Sequence, residues 1–163
     1  MRRAVLVVFL LSTVALCVAG EPGSVDRVVV YKSQRKMVLL AGGKEVKSYL
    51  VALGGDPTGA KQRQGDHRTP EGRYTLDFRN PQSRYYKSLH ISYPNSQDAL
   101  EAKKRGISPG GDVMLHGLPK GYGWMGSKHR LQDWTDGCIA VTNQEMDEIW
   151  KLVHVGTPIE IKP

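Results

Sequence analysis

A thiol and an imidazole near the C-terminal end of this 163-residue chain have the residue types and spacing of a nucleophile and its base. His116 closes "DVMLHG", Cys138 sits inside "WTDGCIAVTN", and 21 residues separate them. A thiol at its ordinary pKa is only a few per cent thiolate at neutral pH, so it needs a base to act as a nucleophile. A histidine within hydrogen-bond reach supplies one, and an ion pair between the two lowers the thiol pKa. Gly137, just before the thiol, lets backbone approach a substrate closely and aim N–H groups at a developing oxyanion. Such a set supplies an activated nucleophile, its base and a place for a developing negative charge.

Cys138 invites that reading because of the company it lacks. The opening "MRRAVLVVFLLSTVALCVAG" has a basic start at Arg2 and Arg3, an apolar run from Ala4 to Val18, and small residues at Ala19 and Gly20. This is the anatomy of a secretory signal peptide, so residues 1–20 are expected to be removed and 21–163 to form one exported, periplasmic domain. An uncleaved anchor is the lesser alternative, and Leu16 before Cys17 does not suit a lipid-modified cysteine. With Cys17 gone, Cys138 has no partner in the chain. A lone thiol in an oxidising compartment is buried and inert, joined to another chain, or kept for its chemistry.

The elements that would carry these residues read as mainly β. "DRVVVYKS" and "RKMVLLAGGKEVKSYLVALGG" are strand-like runs with a hairpin turn at Gly42 and Gly43. "DPTGAKQRQGDHRTPEG", 56–72, is a long loop ending in a Pro-Glu-Gly turn. "RYTLDFRN" and "SLHISYPN" alternate like further strands, "DVMLHG" delivers His116 at its end, and "CIAVT" leaves the Asp-Gly turn as another strand. Two short helices are expected. "QDALEAKKRG" has acids early and bases late, and "TNQEMDEIWKLVHVG" opens on a capping box of Thr142 and Glu145, with Met146, Ile149, Trp150 and Val153 on one face. "TPIEIKP" is expected to close the chain as an edge strand. The spacer "GLPKGYGWMGSKHRLQDWTDG" is too polar and glycine-rich to be core and reads as a lid loop over the Cys/His site.

Within that spacer Tyr122, Trp124 and Trp134 offer flat surfaces to a peptide or sugar, and Lys128 and Arg130 offer cations to carboxylates. Ordinary loop packing is the competing role for each. The formal charge of +7 falls to +5 without residues 1–20, because Arg2 and Arg3 are their only charged residues. A basic exported domain suits an anionic wall polymer or membrane surface; nucleic acid is not an expected partner, since no basic helix or stacking motif is present. A zinc site among His67, His90, His116, His129 and His154 finds no HExxH or comparable spacing, so neither metal nor other cofactor is expected. A non-catalytic wall-binding module remains the other class.

"MLHG" followed downstream by "TDGCIAVTN", together with "GDHRTPEGRYTL", resembles the L,D-transpeptidase catalytic (YkuD) domain family, nearest in detail to its compact YafK-type branch. The resemblance runs from Asp26 to the last strand. It implies a β-sandwich with two short helices, Cys138 as acylated nucleophile and His116 as base. It also implies that the Gly117 carbonyl orients the imidazole and that Gly137 and Cys138 N–H groups form the oxyanion hole. The implied substrate is a peptidoglycan stem peptide, cleaved after diaminopimelate with loss of D-alanine. The acceptor would be an amine on another stem or on a wall-attached lipoprotein, or water, and the protein a monomer. The alternative that the resemblance implies is a peptidoglycan hydrolase of the same fold cutting a diaminopimelate-linked bond such as that to a wall-attached protein. Asp136 departs from the family's histidine. Two roles are open to it: accepting a backbone N–H of the Asp-Gly turn, which is the expectation, or binding a substrate ammonium.

Overall fold

In the computed structural model, which describes residues 24–163, the chain wraps one eight-stranded sheet around an aliphatic core. The expected signal segment, with Arg2, Arg3 and Cys17, lies outside the described residues. The strands are β1 (Arg27–Tyr31), β2 (Lys36–Ala41), β3 (Lys44–Leu50), β4 (Gly72–Asn80), β5 (Ser88–Ile91), β6 (Met114–His116), β7 (Ile139–Ala140) and β8 (Thr157–Lys162). Their spatial order is β3-β2-β1-β8-β4-β5-β6-β7. Gly42 and Gly43, both at positive φ, make the expected hairpin turn between β2 and β3.

The sheet curls until its ends meet. Residues just past β3 reach the far edge, where Ala52 bridges Ala140 and Gly54 bridges Thr135. The layered β architecture implied by the sequence is therefore one sheet folded over on itself, with Val28, Leu39, Leu76, Leu115 and Ile159 in the fully buried interior. Burying such side chains removes about 25 cal/mol of unfavourable hydration per Å² of apolar surface.

β8 corrects one expectation. It is an interior strand, parallel to β1 and antiparallel to β4. Its alternation places Thr157, Ile159 and Ile161 inward. Pro158 suggests an edge, but pairing with β1 begins only at Ile159, so the missing N–H falls where that side of the strand is still free.

Helix α1 (Ser96–Lys104) is capped by Asn95, and α2 (Asn143–Leu152) carries the expected Thr142/Glu145 capping box. Met146, Ile149 and Val153 of α2 are fully buried against the sheet. The spacer is not an open loop. It contains a third short helix, of 3₁₀ type, over Gly123–Leu131, kinked at Gly126 and with His129 buried beneath it.

Candidate active site

β6 and β7 lie side by side and parallel, pairing Leu115 with Ile139 and His116 with Ala140. That register sets His116 at the end of one strand and Cys138 at the entry of the next, on the walls of one cleft of about 750 Å³. The imidazole is fixed from three sides. Its Nδ1 lies 2.6 Å from the Gly117 carbonyl, which can only accept, so Nδ1 carries the proton and Nε2 is left with its lone pair. Tyr85 packs on one side of the ring at 4.5 Å between centroids, and Trp134 meets it edge-on at 5.9 Å. Burial of the ring lowers its pKa to about 4, so His116 is neutral at physiological pH.

The thiol is differently placed from the expectation of a preformed ion pair. Cys138 Sγ accepts the Met114 N–H at 3.3 Å and donates to the Asp112 carbonyl at 3.7 Å; it makes no hydrogen bond to His116 among the described residues. Burial pushes its pKa up, and the neighbouring Asp136 and Asp112 carboxylates add to the rise, against a downward pull from the Met114 N–H and from Lys61. The resting pair is thus a neutral thiol beside a neutral imidazole.

The turn before the thiol is built by a residue that the sequence did not single out. Thr135 Oγ1 accepts the Gly137 N–H at 3.1 Å and donates to the Cys138 carbonyl at 2.8 Å. This corrects two expectations. The Gly137 N–H is committed within the turn and is not free for an oxyanion, and Asp136 does not cap the turn. The Asp136 carboxylate instead meets His67 Nδ1 at 2.8 Å on the exposed rim of the cleft. Gly137 is required for another reason: at φ +128° a Cβ there would stand 2.6 Å from the Arg68 carbonyl.

The loop that presents Arg68 is itself anchored. Asp66 accepts N–H groups from Gln62, Arg63 and Arg68 and pairs with the buried Lys61, which together hold its pKa near 2 although burial opposes this. Thr69 Oγ1 accepts the Gly54 N–H at 3.0 Å. The Thr-Pro turn thus braces both the sheet closure and the Cys138 turn.

Of the aromatic and basic residues singled out in the spacer, only Trp134 lines the cleft, together with Thr135 and Asp136 of the turn before the thiol. The other side of Trp134, with Tyr122, Lys128 and His129, lines a separate apolar pocket of about 480 Å³. Trp124 is 77 % exposed and lines neither. Arg130 is turned away from the thiol into an ion pair with Glu145 of the α2 capping box. The cleft gains Tyr85, Arg84, Ser83 and Asp112, for which the sequence offered no local signal. No three ligating side chains converge as a metal site among the described residues.

The fold is that of a known domain family. The family model of the L,D-transpeptidase catalytic domain (YkuD) matches residues 25–161, and the chain belongs to that family. It is 33 % identical to the protein YafK of Escherichia coli, strains K12 and O157:H7, over 80 % of this chain and 48 % of the relative. The chain thus spans about half the length of these curated relatives. Among solved structures it resembles the helical cell shape determining protein Pgp2 of Campylobacter jejuni, with a TM-score of 0.64 and 24 % identity over 85 % of this chain and 48 % of that one. An L,D-transpeptidase from Mycobacterium smegmatis has the same fold, with a TM-score of 0.55 and 14 % identity over 83 % and 58 % of the two chains.

Proposed function

We propose that the protein is an exported cysteine acyltransferase acting on peptidoglycan stem peptides. The observation that carries this reading is the sharing of one cleft by Cys138 and a neutral His116 whose Nδ1 is tied to the Gly117 carbonyl. Family membership supplies the substrate class.

Because both groups rest neutral, the thiol proton moves to His116 Nε2 as Sγ attacks the diaminopimelate carbonyl that is amide-bonded to D-alanine. The new C–S bond makes a tetrahedral oxyanion, which accepts a hydrogen bond from the Cys138 N–H. Collapse breaks the C–N bond, and His116 returns the proton to the departing amine of D-alanine. The thioester then passes its acyl group to an amine on another stem or on a wall-attached lipoprotein. Water is the competing acceptor, and the polar wall formed by Ser83, Asp112 and Thr135 favours it more than an apolar tunnel would. The thioester route draws on no metal or cofactor.

Incubation with a diaminopimelate tetrapeptide is expected to release D-alanine, and mass spectrometry of the products separates transfer from hydrolysis. Cys138→Ala and His116→Ala should each lower release by at least ~1,000-fold while the circular dichroism spectrum is kept. Release by Cys138→Ala at the parent rate would falsify the nucleophile assignment.

A further inference from the structure

Arg84 is the only Lys or Arg lining the cleft among the described residues. The cations around it are nearly all engaged: Lys61 with Asp66, Arg68 with Asp56, Lys87 with Asp147, Arg130 with Glu145. Arg84 has no carboxylate within ion-pair distance among the described residues. Its backbone is nevertheless held, since its carbonyl accepts the Lys120 N–H at 3.0 Å and the Ser83 hydroxyl takes the N–H of Tyr85 at 3.1 Å. Its guanidinium lies over the Tyr85 ring, 5.5 Å from the centroid, and Tyr85 in turn packs on His116. The cleft's carboxylates stand elsewhere: Asp112, whose backbone carbonyl accepts a hydrogen bond from the thiol, and Asp136, two residues before the thiol. Contacts therefore run from the guanidinium to the tyrosine ring to the imidazole, while the acids lie with the thiol.

This polarity orients a substrate. The group that protonates a leaving amine must lie on the leaving-group side of the scissile bond, so the departing residue extends past His116. One extended residue spans about 3.5 Å, which, with an ion-pair contact added, carries its terminal carboxylate across the Tyr85 face to the guanidinium. We infer that Arg84 is a specificity-determining residue that binds the free carboxylate of the leaving amino acid, restricting the donor to stem peptides whose leaving residue is chain-terminal. The inference rests on the proposed acyl transfer at Cys138. A planar, always-charged guanidinium suits a carboxylate, and its uncommitted state leaves that capacity for a ligand.

The test is binding without turnover. In a Cys138→Ala chain, calorimetric titration compares L-Ala-γ-D-Glu-diaminopimelyl-D-Ala with the same peptide carrying a C-terminal carboxamide. The free acid is expected to bind about 10-fold more tightly, the worth of one charge-assisted contact. Adding Arg84→Gln should bring the acid-to-amide ratio close to 1, and Arg84→Lys should restore a few-fold preference. A role confined to packing on Tyr85 would weaken both peptides together and leave the ratio intact. Equal affinities in the Cys138→Ala chain, no binding of either peptide, or a ratio surviving Arg84→Gln overturns the inference. D-Alanine release by the unmodified chain without this preference removes the inference and leaves the acyl transfer standing; the preference without release does the reverse.

Discussion

The pair of residues at the centre of the cleft rests in its uncharged form, and that has a measurable consequence. Burial lowers the His116 pKa to about 4 and raises that of Cys138, so the gap between them favours thiol and imidazole over thiolate and imidazolium. Alkylation of Cys138 by iodoacetamide in the absence of substrate should therefore be slow at pH 7 and climb only above the ordinary cysteine range. A rate already level at pH 6 would mean a preformed ion pair. The Asp136 carboxylate contributes to the rise, so Asp136→Asn should move the alkylation profile slightly toward lower pH. The thiol and the imidazole were legible in the sequence because a strand-end histidine and a Gly-Cys turn are local signals, whereas the carbonyl partner came only with the family resemblance. Thr135 and the pairing of Asp136 with His67 were not, the latter because it joins residues 69 apart. No pattern within a window of a few residues reveals such a contact.

The same division holds for the elements. The glycine hairpin and the α2 capping box were readable because their hydrogen bonds close within a few residues. The interior place of β8 was hidden, since it depends on β1 more than a hundred residues earlier. The spacer looked like a lid because glycines and charges dominate it, yet its Arg130 and Asp133 are spent in ion pairs within the fold. Arg130 and Glu145 are both largely shielded, and Glu145 also accepts the Thr142 N–H and hydroxyl at the start of α2. Arg130 thus ties the 3₁₀ helix to the α2 N-terminus. Removing one partner of a shielded pair leaves the other charge under-satisfied. Arg130→Ala should lower stability by about 2 kcal/mol, roughly 5–8 °C in the melting midpoint, with KM for stem peptides changed less than about 2-fold. A 10-fold rise in KM with an unmoved melt would return Arg130 to the substrate site.

At the scale of the whole molecule, the sheet is closed by a polar core as well as by its aliphatic one. Lys32, 2 % exposed, reaches from the end of β1 to the Glu71 carboxylate and the carbonyls of Gly59 and Thr69, fastening the long loop to the strand that pairs with β8. That loop approaches Gly54 and Gly137 closely at the seam where the sheet ends meet, so the cleft is tied to the global fold. His116 sits on this seam, and its protonation should be felt as global instability. Its folded pKa of about 4 lies below the 6.5 of an ordinary histidine, so between those values the unfolded chain binds the extra proton and the folded one does not. Stability is then complete above pH 6.5, declines as the pH falls through this window, and levels off below about 4. The full difference is about 3 kcal/mol, because a tenfold change in proton affinity is worth about 1.36 kcal/mol. His129, also buried with its pKa lowered to about 4, adds in the same direction. Asp66, near 2 in the fold against 3.8 in the unfolded chain, loses its contribution as the pH falls from about 3.8 towards 2, below this window. Urea unfolding from pH 7 to pH 4 should therefore show a steady fall in stability with an unchanged m-value, and His116→Gln should flatten the slope by roughly half. A profile as steep in the Gln variant as in the parent would transfer the proton uptake to other groups and detach His116 from the stability of the seam.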